Sequence, residues 1–350
     1  MPSRESRRKR ALDVDGGHDD TRAQTLRHLL ASRKISVTTL NEIVQTLQNQ
    51  PDALSASLGD LKAAAASFFE GVRHELQVLM QDGTCFTWTL CEPNLLLGRT
   101  LKECPNLAAL YRERMRKHPC SVDRPWSMIV MFDAFSPVTI SCPRPGAQKT
   151  MNVMYNFLEL GAAALSLDKT WLVPVSVRYE CVSNAVGGWS ACLAMYLRLH
   201  LLGPHNIQSV GVAFDVLPEK FIVFAKLKVL GSDGEGLKEA LDLKGFSGLV
   251  PCIRCINVLK KDSGLAHRRP NYVEITCWDA SKFESATRDD FESHVDELIA
   301  AKRQVRANAM PKARLALMEK AYGINANPSG LVADARLRNC FVVLDVMCED

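Results

Sequence analysis

The order of signals between Phe221 and Cys255 constrains this chain most. Phe221–Leu230 is an apolar run, and Gly231-Ser232-Asp233-Gly234 interrupts it. Leu237, Ala240, Leu241 and Leu243 then mark a helix, and Pro251-Cys252-Ile253-Arg254-Cys255 ends the stretch. A strand, an acid, a helix and a thiol turn in that order predict an α/β fold. Asp233 has two readings. It is an ordinary helix N-cap, or it is an acid at a strand end, where α/β sheets commonly place their active sites.

Other runs repeat the pattern. Ser127–Phe132 (SMIVMF) is of strand length and ends at Asp133. Val138–Ser141 reads as a second strand, reversed through Pro137, and Trp171–Val177 as a third. Trp189–Leu202 reads as a helix, and Val210–Phe214 and Phe221–Val229 are further apolar runs. These signals predict an α/β core over about 126–250. Asp133 is either a turn acid capping the following loop or a functional carboxylate. Two strand-end carboxylates brought together repel, and a divalent ion removes that cost, as in two-metal phosphoryl-transfer sites.

Outside this core the helical period dominates. Residues 1–20 are polar and aperiodic and predict a disordered basic tail, with Arg7, Arg8, Lys9 and Arg10 either an import signal or a solvated run. A helical N-terminal region is expected over 21–120. Within 21–48, Leu40, Ile43, Val44 and Leu47 share a face, in a helical hairpin or a DNA-reading helix-turn-helix. One longer helix is expected over 53–82, stopped by Asp82-Gly83, then loops and short helices to 120, with Leu107, Leu110, Tyr111 and Met115 on one face. After a knuckle insertion at 251–285, residues 286–350 form a helical C-terminal segment. Phe291, Val295, Leu298 and Ile299 share one of its faces, and Leu315, Met318 and Tyr322 another.

Charge and cysteine usage narrow the function classes. The 43 basic and 39 acidic residues leave a formal net charge of only +4, so a nucleic-acid surface has to be local. The first residues lack the pattern of a secretory signal, and no apolar run reaches the roughly 18 residues of a membrane span. Scattered cysteines then predict an intracellular, reducing compartment, with the nucleus expected and the cytoplasm as the alternative. Cys252-Ile253-Arg254-Cys255 can hold one zinc ion if two further ligands join, and His267 and Cys277 are the nearest candidates. A redox pair and two thiols placed by chance are the other readings. Lys260, Lys261, Arg268 and Arg269 around the knuckle make either a phosphate-contacting edge or a solvated loop. Lys302, Arg303, Arg306, Lys312 and Arg314 form a further basic helical surface. The sequence contains no Gly-x-Ser-x-Gly and no GxxxxGK[ST], which argues against serine hydrolases and P-loop nucleotide enzymes.

The segment from Asp233 to Cys255 resembles DDE-type transposases of the CACTA, Plavaka and Kyakuja-Dileera-Zisupton kinds, and also sets of uncharacterised repeated proteins of algal protists. Gly248-Leu-Val-Pro-Cys252-Ile-Arg-Cys255 matches their G-x-x-[GP]-C-x-x-C knuckle, and Met131-Phe132-Asp133 resembles the strand that carries their first aspartate. The resemblance covers roughly 126–350. It implies an RNase H-like mixed sheet with flanking helices, Asp133 and Asp233 as catalytic acids holding Mg²⁺ or Mn²⁺, and a zinc subdomain on Cys252 and Cys255. DNA is the implied partner, a homo-oligomer is compatible with it, and no membrane is involved. The sequence also departs from the family. Gly234-Glu235 follows Asp233 where a Pro-Ala pair is common, and Cys348 stands where Leu344-Asp345-Val346-Met347 would lead to histidine. No residue matches the third metal-binding acid. The expectation is therefore a truncated, transposon-derived protein with weak or absent nuclease activity. The alternative is a non-enzymatic nucleic-acid-binding or protein-interaction protein.

Overall fold

From Arg73 the sequence RHELQVL alternates exposed with more buried side chains, and Asp82-Gly83 follows. Period-two alternation leading into Asp-Gly is a hairpin signal. Accordingly β1 (Arg73–Leu79) pairs antiparallel with β2 (Cys85–Cys91), in register from Arg73↔Cys91 to Leu79↔Cys85. This corrects the helix expected over 53–82 from Arg73 onward, and the all-helical reading of 21–120. Asp82-Gly83 turns a hairpin and stops no helix, with Gly83 N donating to Met80 O. The computed structural model describes residues 67–135, 149–216, 219–250, 255, 257–259, 271–274 and 276–340. The chain divides into two units, Met1–Glu70 and Gly71–Asp350, and the hairpin, the central sheet and its helices all belong to the second. The tail over 1–20, the helices over 21–48 and the strand at Val138–Ser141 lie outside the described residues.

Two helices follow the hairpin. In α1 (Pro93–Glu103) the Glu92 carboxylate caps the first turn, accepting from Leu95 N at 2.9 Å, and Pro93 occupies a position where its missing N–H costs nothing. In α2 (Pro105–Lys117) Tyr111 and Met115 of the expected face are buried, together with Ala108, while Leu107 and Leu110 are half-buried. The Tyr111 ring lies 5.8 Å from Trp126, 6.1 Å from Phe157 and 6.1 Å from Phe214, centroid to centroid. Burying each such ring contributes about 2–3 kcal/mol.

The central sheet has four strands in the order β5-β4-β3-β8. β3 (Trp126–Phe135) pairs antiparallel with β4 (Thr150–Phe157), and β4 antiparallel with β5 (Leu172–Arg178). The chain then crosses through α3 (Gly188–Leu202). A separate hairpin follows, β6 (Val212–Val216) with β7 (Glu219–Val223). β8 (Ala225–Gly231) returns parallel to β3. The apolar run Phe221–Val229 is thus two strands, because its first half pairs with β6 and its second with β3. α3 is apolar on nearly every side, as an enclosed helix must be. Its Trp189 ring meets Phe132 at 5.8 Å and its His200 ring meets Tyr155 at 4.6 Å, so α3 covers the sheet face that carries Phe132, Val153, Tyr155 and Val175.

Beyond the sheet come α4 (Gly234–Ala240) and the two-residue parallel strands β9 (Val258–Leu259) and β10 (Val273–Glu274). Then follow α5 (Arg288–Arg306), α6 (Lys312–Tyr322) and α7 (Ala335–Cys340). α5 starts on a reciprocal capping box, in which Thr287 and Asp290 each bond the other's backbone N–H. The helical reading from 286 holds as far as the described residues extend, to 340. None of the helices among the described residues is long and apolar enough to cross a membrane.

Candidate functional site

β3 and β8 run side by side as far as Gly231, where β8 stops; β3 continues to Phe135, so Asp133 lies within the strand and not at its end as the apolar run Ser127–Phe132 predicts. Their last register pair is Met131↔Gly231, and Asp133 and Asp233 each lie two residues beyond it. Neighbouring strands sit about 4.8 Å apart, so this register puts both acids at one corner of the sheet. The Met131 side chain lies over Gly231, where a Cβ would meet its sulfur at 2.4 Å. Both aspartates are exposed. Asp233 is also the N-cap of α4, its Oδ1 accepting from Gly236 N at 2.6 Å. The two readings of Asp233 are therefore compatible, since one carboxylate oxygen caps and the other is left over.

Asp133 continues sideways into a polar row. It sits opposite Asn152, and Asn152 opposite Ser176. Directly opposed residues share a face, and Phe132, Val153 and Val175 on the other parity lie under α3. Asn152 is half-buried and Ser176 exposed. One row further out stand Phe135, Thr150 and Arg178.

A third carboxylate does not join Asp133 and Asp233 among the described residues, where no group of three or more His, Cys, Asp or Glu side chains could hold a metal ion. Asp334 is engaged by Arg198 at 2.5 Å. Lys260, Lys261, Arg268, Arg269, Cys252 and His267 lie outside the described residues. Of the thiol candidates, Cys255 and Cys277 are both half-buried, and Cys255 forms an isolated bridge with Ser285. Buried Asn257 closes the loop between them. Its amide donates to Asn271 O at 2.7 Å and Lys282 O at 2.8 Å, and its oxygen accepts from Glu284 N at 2.8 Å. This clamp returns the segment carrying Cys277 to the segment carrying Cys255.

A second carboxylate site has no sequence signal. Asp242, in the left-handed region at φ 57°, holds its side chain between α3 and the loop after α6. Ser190 Oγ lies 2.6 Å from Oδ2, and Asn327 Nδ2 donates to Oδ1 at 2.8 Å. Burial pushes its pKa up to about 7 against the opposing pull of those two hydrogen bonds. Proton accounting agrees. Ser190 Oγ also lies 2.8 Å from Ala240 O and accepts from Leu331 N at 2.9 Å. One hydroxyl proton cannot serve two acceptors. If Asp242 carries a proton it donates to Ser190, Ser190 donates to Ala240 O, and every group is satisfied. Asp242 borders an open cleft of about 370 Å³ with Tyr179, Trp189, Glu235, Lys238 and Glu239. The Tyr179 hydroxyl donates to Glu239, and Glu235 pairs with Lys238, so the cleft's polar groups largely engage one another.

No protein-family model and no curated protein sequence matches this chain.

Proposed function

We propose that this is a transposon-derived, DDE transposase-like protein with an RNase H-like core, whose ancestral chemistry is metal-dependent DNA strand cleavage and transfer. One observation carries the reading: Asp133 and Asp233 each lie two residues past the Met131↔Gly231 pair of neighbouring parallel strands. The resemblance implies a first acid on an early core strand, and Asp133 lies on β3 two residues short of its end at Phe135; it implies a second acid after a later strand with a helix directly behind it. α4 starts at Gly234.

The donors suit a hard divalent cation, because both are exposed carboxylates and Asp233 keeps one oxygen outside its cap bond. Bound there, Mg²⁺ or Mn²⁺ would polarise a phosphate oxygen and acidify a water. The chain's own part is to hold Asp133 on β3 and Asp233 just beyond the neighbouring β8, with α4 orienting Asp233. Two acids hold such ions loosely, and no third acid is assigned, so cleavage is weak or absent. Zinc on Cys252, Cys255, His267 and Cys277 would brace the insertion that Asn257 clamps.

Titration with Mn²⁺, followed by its paramagnetic resonance signal, tests the corner. Asp133→Asn and Asp233→Asn are each expected to weaken Mn²⁺ binding at least about tenfold. Variants that bind as the wild type does overturn the metal reading. DNA binding kept without Mn²⁺ binding favours the non-enzymatic alternative. In a cleavage assay with Mn²⁺, equal product from wild type and Asp233→Asn removes any enzymatic claim. One zinc per chain is expected in protein never exposed to chelator; a content well below one removes the knuckle.

A further inference from the structure

The sheet face opposite α3 carries a second set of groups with a common chemistry. Phe135, Thr150 and Arg178 lie in one row across β3, β4 and β5, one pleat beyond the row of Asp133, Asn152 and Ser176. Phe135 is 58% exposed, although it stands on a strand. Arg178 is exposed and makes no ion pair among the described residues. Many other cations of the core are neutralised, as Lys238 is by Glu235 and Lys244 by Glu319. Thr150 Oγ1 donates to Phe135 O at 3.1 Å, which ties β4 to the strand end that presents the ring.

We infer that this face is a binding surface for single-stranded DNA, with a base stacked on Phe135 and the backbone drawn across the sheet to Arg178. The inference rests on the proposed function, since it gives the strand entering the Asp133 corner a path. Three features favour a single strand. An exposed aromatic ring offers its face to an unstacked base, which a duplex does not present. Arg178 lies two strands from Phe135, about 10 Å away, far enough for ring and guanidinium to meet different parts of one nucleotide chain. Thr150 between them, and Asn152 and Ser176 in the next row, are short, polar side chains that leave the path unblocked. Charge also agrees: a polyanion needs a cation on this face, because Asp133 alone would repel it until an ion is bound.

The test is fluorescence anisotropy of labelled oligo-dT with the full chain, without added Mg²⁺, Mn²⁺ or chelator, over a range of salt. Phe135→Ala is expected to weaken binding about tenfold, with Phe135→Trp restoring it. Arg178→Ala is expected to weaken binding and to lower the slope of log affinity against log salt by about one. Both side chains are exposed, so unchanged thermal unfolding should accompany these losses. Wild-type affinity and salt slope in both alanine variants overturn the inference. So does a duplex of equal length competing as well as the single strand while Phe135→Ala has no effect. The two proposals fail separately. Unaltered Mn²⁺ binding in Asp133→Asn, with the Phe135 and Arg178 effects present, removes the metal corner and keeps the surface. The converse pattern removes the surface alone.

Discussion

The same residue type does opposite work at two places in this domain. Asp133 and Asp233 stand exposed at the open end of the sheet, joined to the fold by the β3 backbone and one cap bond. Asp242 is enclosed between α3, the end of α4 and the loop after α6, with both oxygens engaged. A carboxylate in water keeps its charge and can offer it to an ion or a nucleic acid. A carboxylate taken out of water must find donors or take up a proton, and then it is committed to the fold. The contrast predicts that Asp242 variants change stability, whereas Asp133 variants change binding.

The largest effect is expected at Asp242. Alanine there removes one of the two acceptors of the Asn327 amide, removes a partner of Ser190, and puts a residue with no local hydrogen bond at φ 57°. Together these should cost about 3–4 kcal/mol in denaturant unfolding. Asparagine should be tolerated, because it accepts the left-handed backbone and mimics the protonated carboxyl in shape. The pH dependence has a definite sign. The folded-state pKa of about 7 lies above the ordinary value of 3.8. The contribution is therefore fully present below about pH 4 and is lost as pH rises through 7. Asp242→Asn should flatten that decline and exceed the wild type at pH 8 by an amount on the order of 2 kcal/mol. A wild-type stability that rises from pH 4 to 8, with no difference in Asp242→Asn, would break the comparison.

Gly187 probes the same cluster from its other side. It has φ 86°, its carbonyl accepts from Asn327 Nδ2 at 2.9 Å, and a Cβ would meet Ala191 Cβ at 2.8 Å and Asn327 Oδ1 at 3.0 Å. Gly187→Ala should destabilise by about 1–3 kcal/mol, with no effect on Mn²⁺ affinity. A loss of Mn²⁺ binding in this variant would show that the two regions are coupled.

The two regions also differ in how far the sequence reveals them. Asp133 and Asp233 are legible because each ends an apolar run, a signal contained in about ten neighbouring residues. Asp242 gives no such signal, as its partners Ser190 and Asn327 are 52 and 85 residues away. β4 is hidden in the sequence for a different reason. Its TMNVMYNF is polar on one face, so it forms no continuous apolar run, although Met151, Val153, Tyr155 and Phe157 alternate as a half-buried strand should. The β1–β2 hairpin reads as helix because leucine, valine and glutamate suit both periods over seven residues. The alternation around Asp82-Gly83 is the discriminator. β4 matters to the site, for it places Asn152 beside Asp133.

At the exposed corner the expected stability effects are smaller and unequal. Asp233→Ala removes the N-cap of α4 and should cost about 1 kcal/mol, while Asp233→Asn keeps a capping oxygen and should cost little. Asp133→Asn loses no hydrogen bond found for its side chain among the described residues, and it should fall within about 0.5 kcal/mol of wild type. These two conservative variants differ from wild type mainly in charge, so a fall in Mn²⁺ affinity cannot be assigned to unfolding. If Asp133→Asn instead lowers the unfolding midpoint as much as Asp233→Ala does, Asp133 holds the β3 end in place. The corner would then join Asp242 as structure, and the division between exposed and enclosed acids would no longer separate binding from folding.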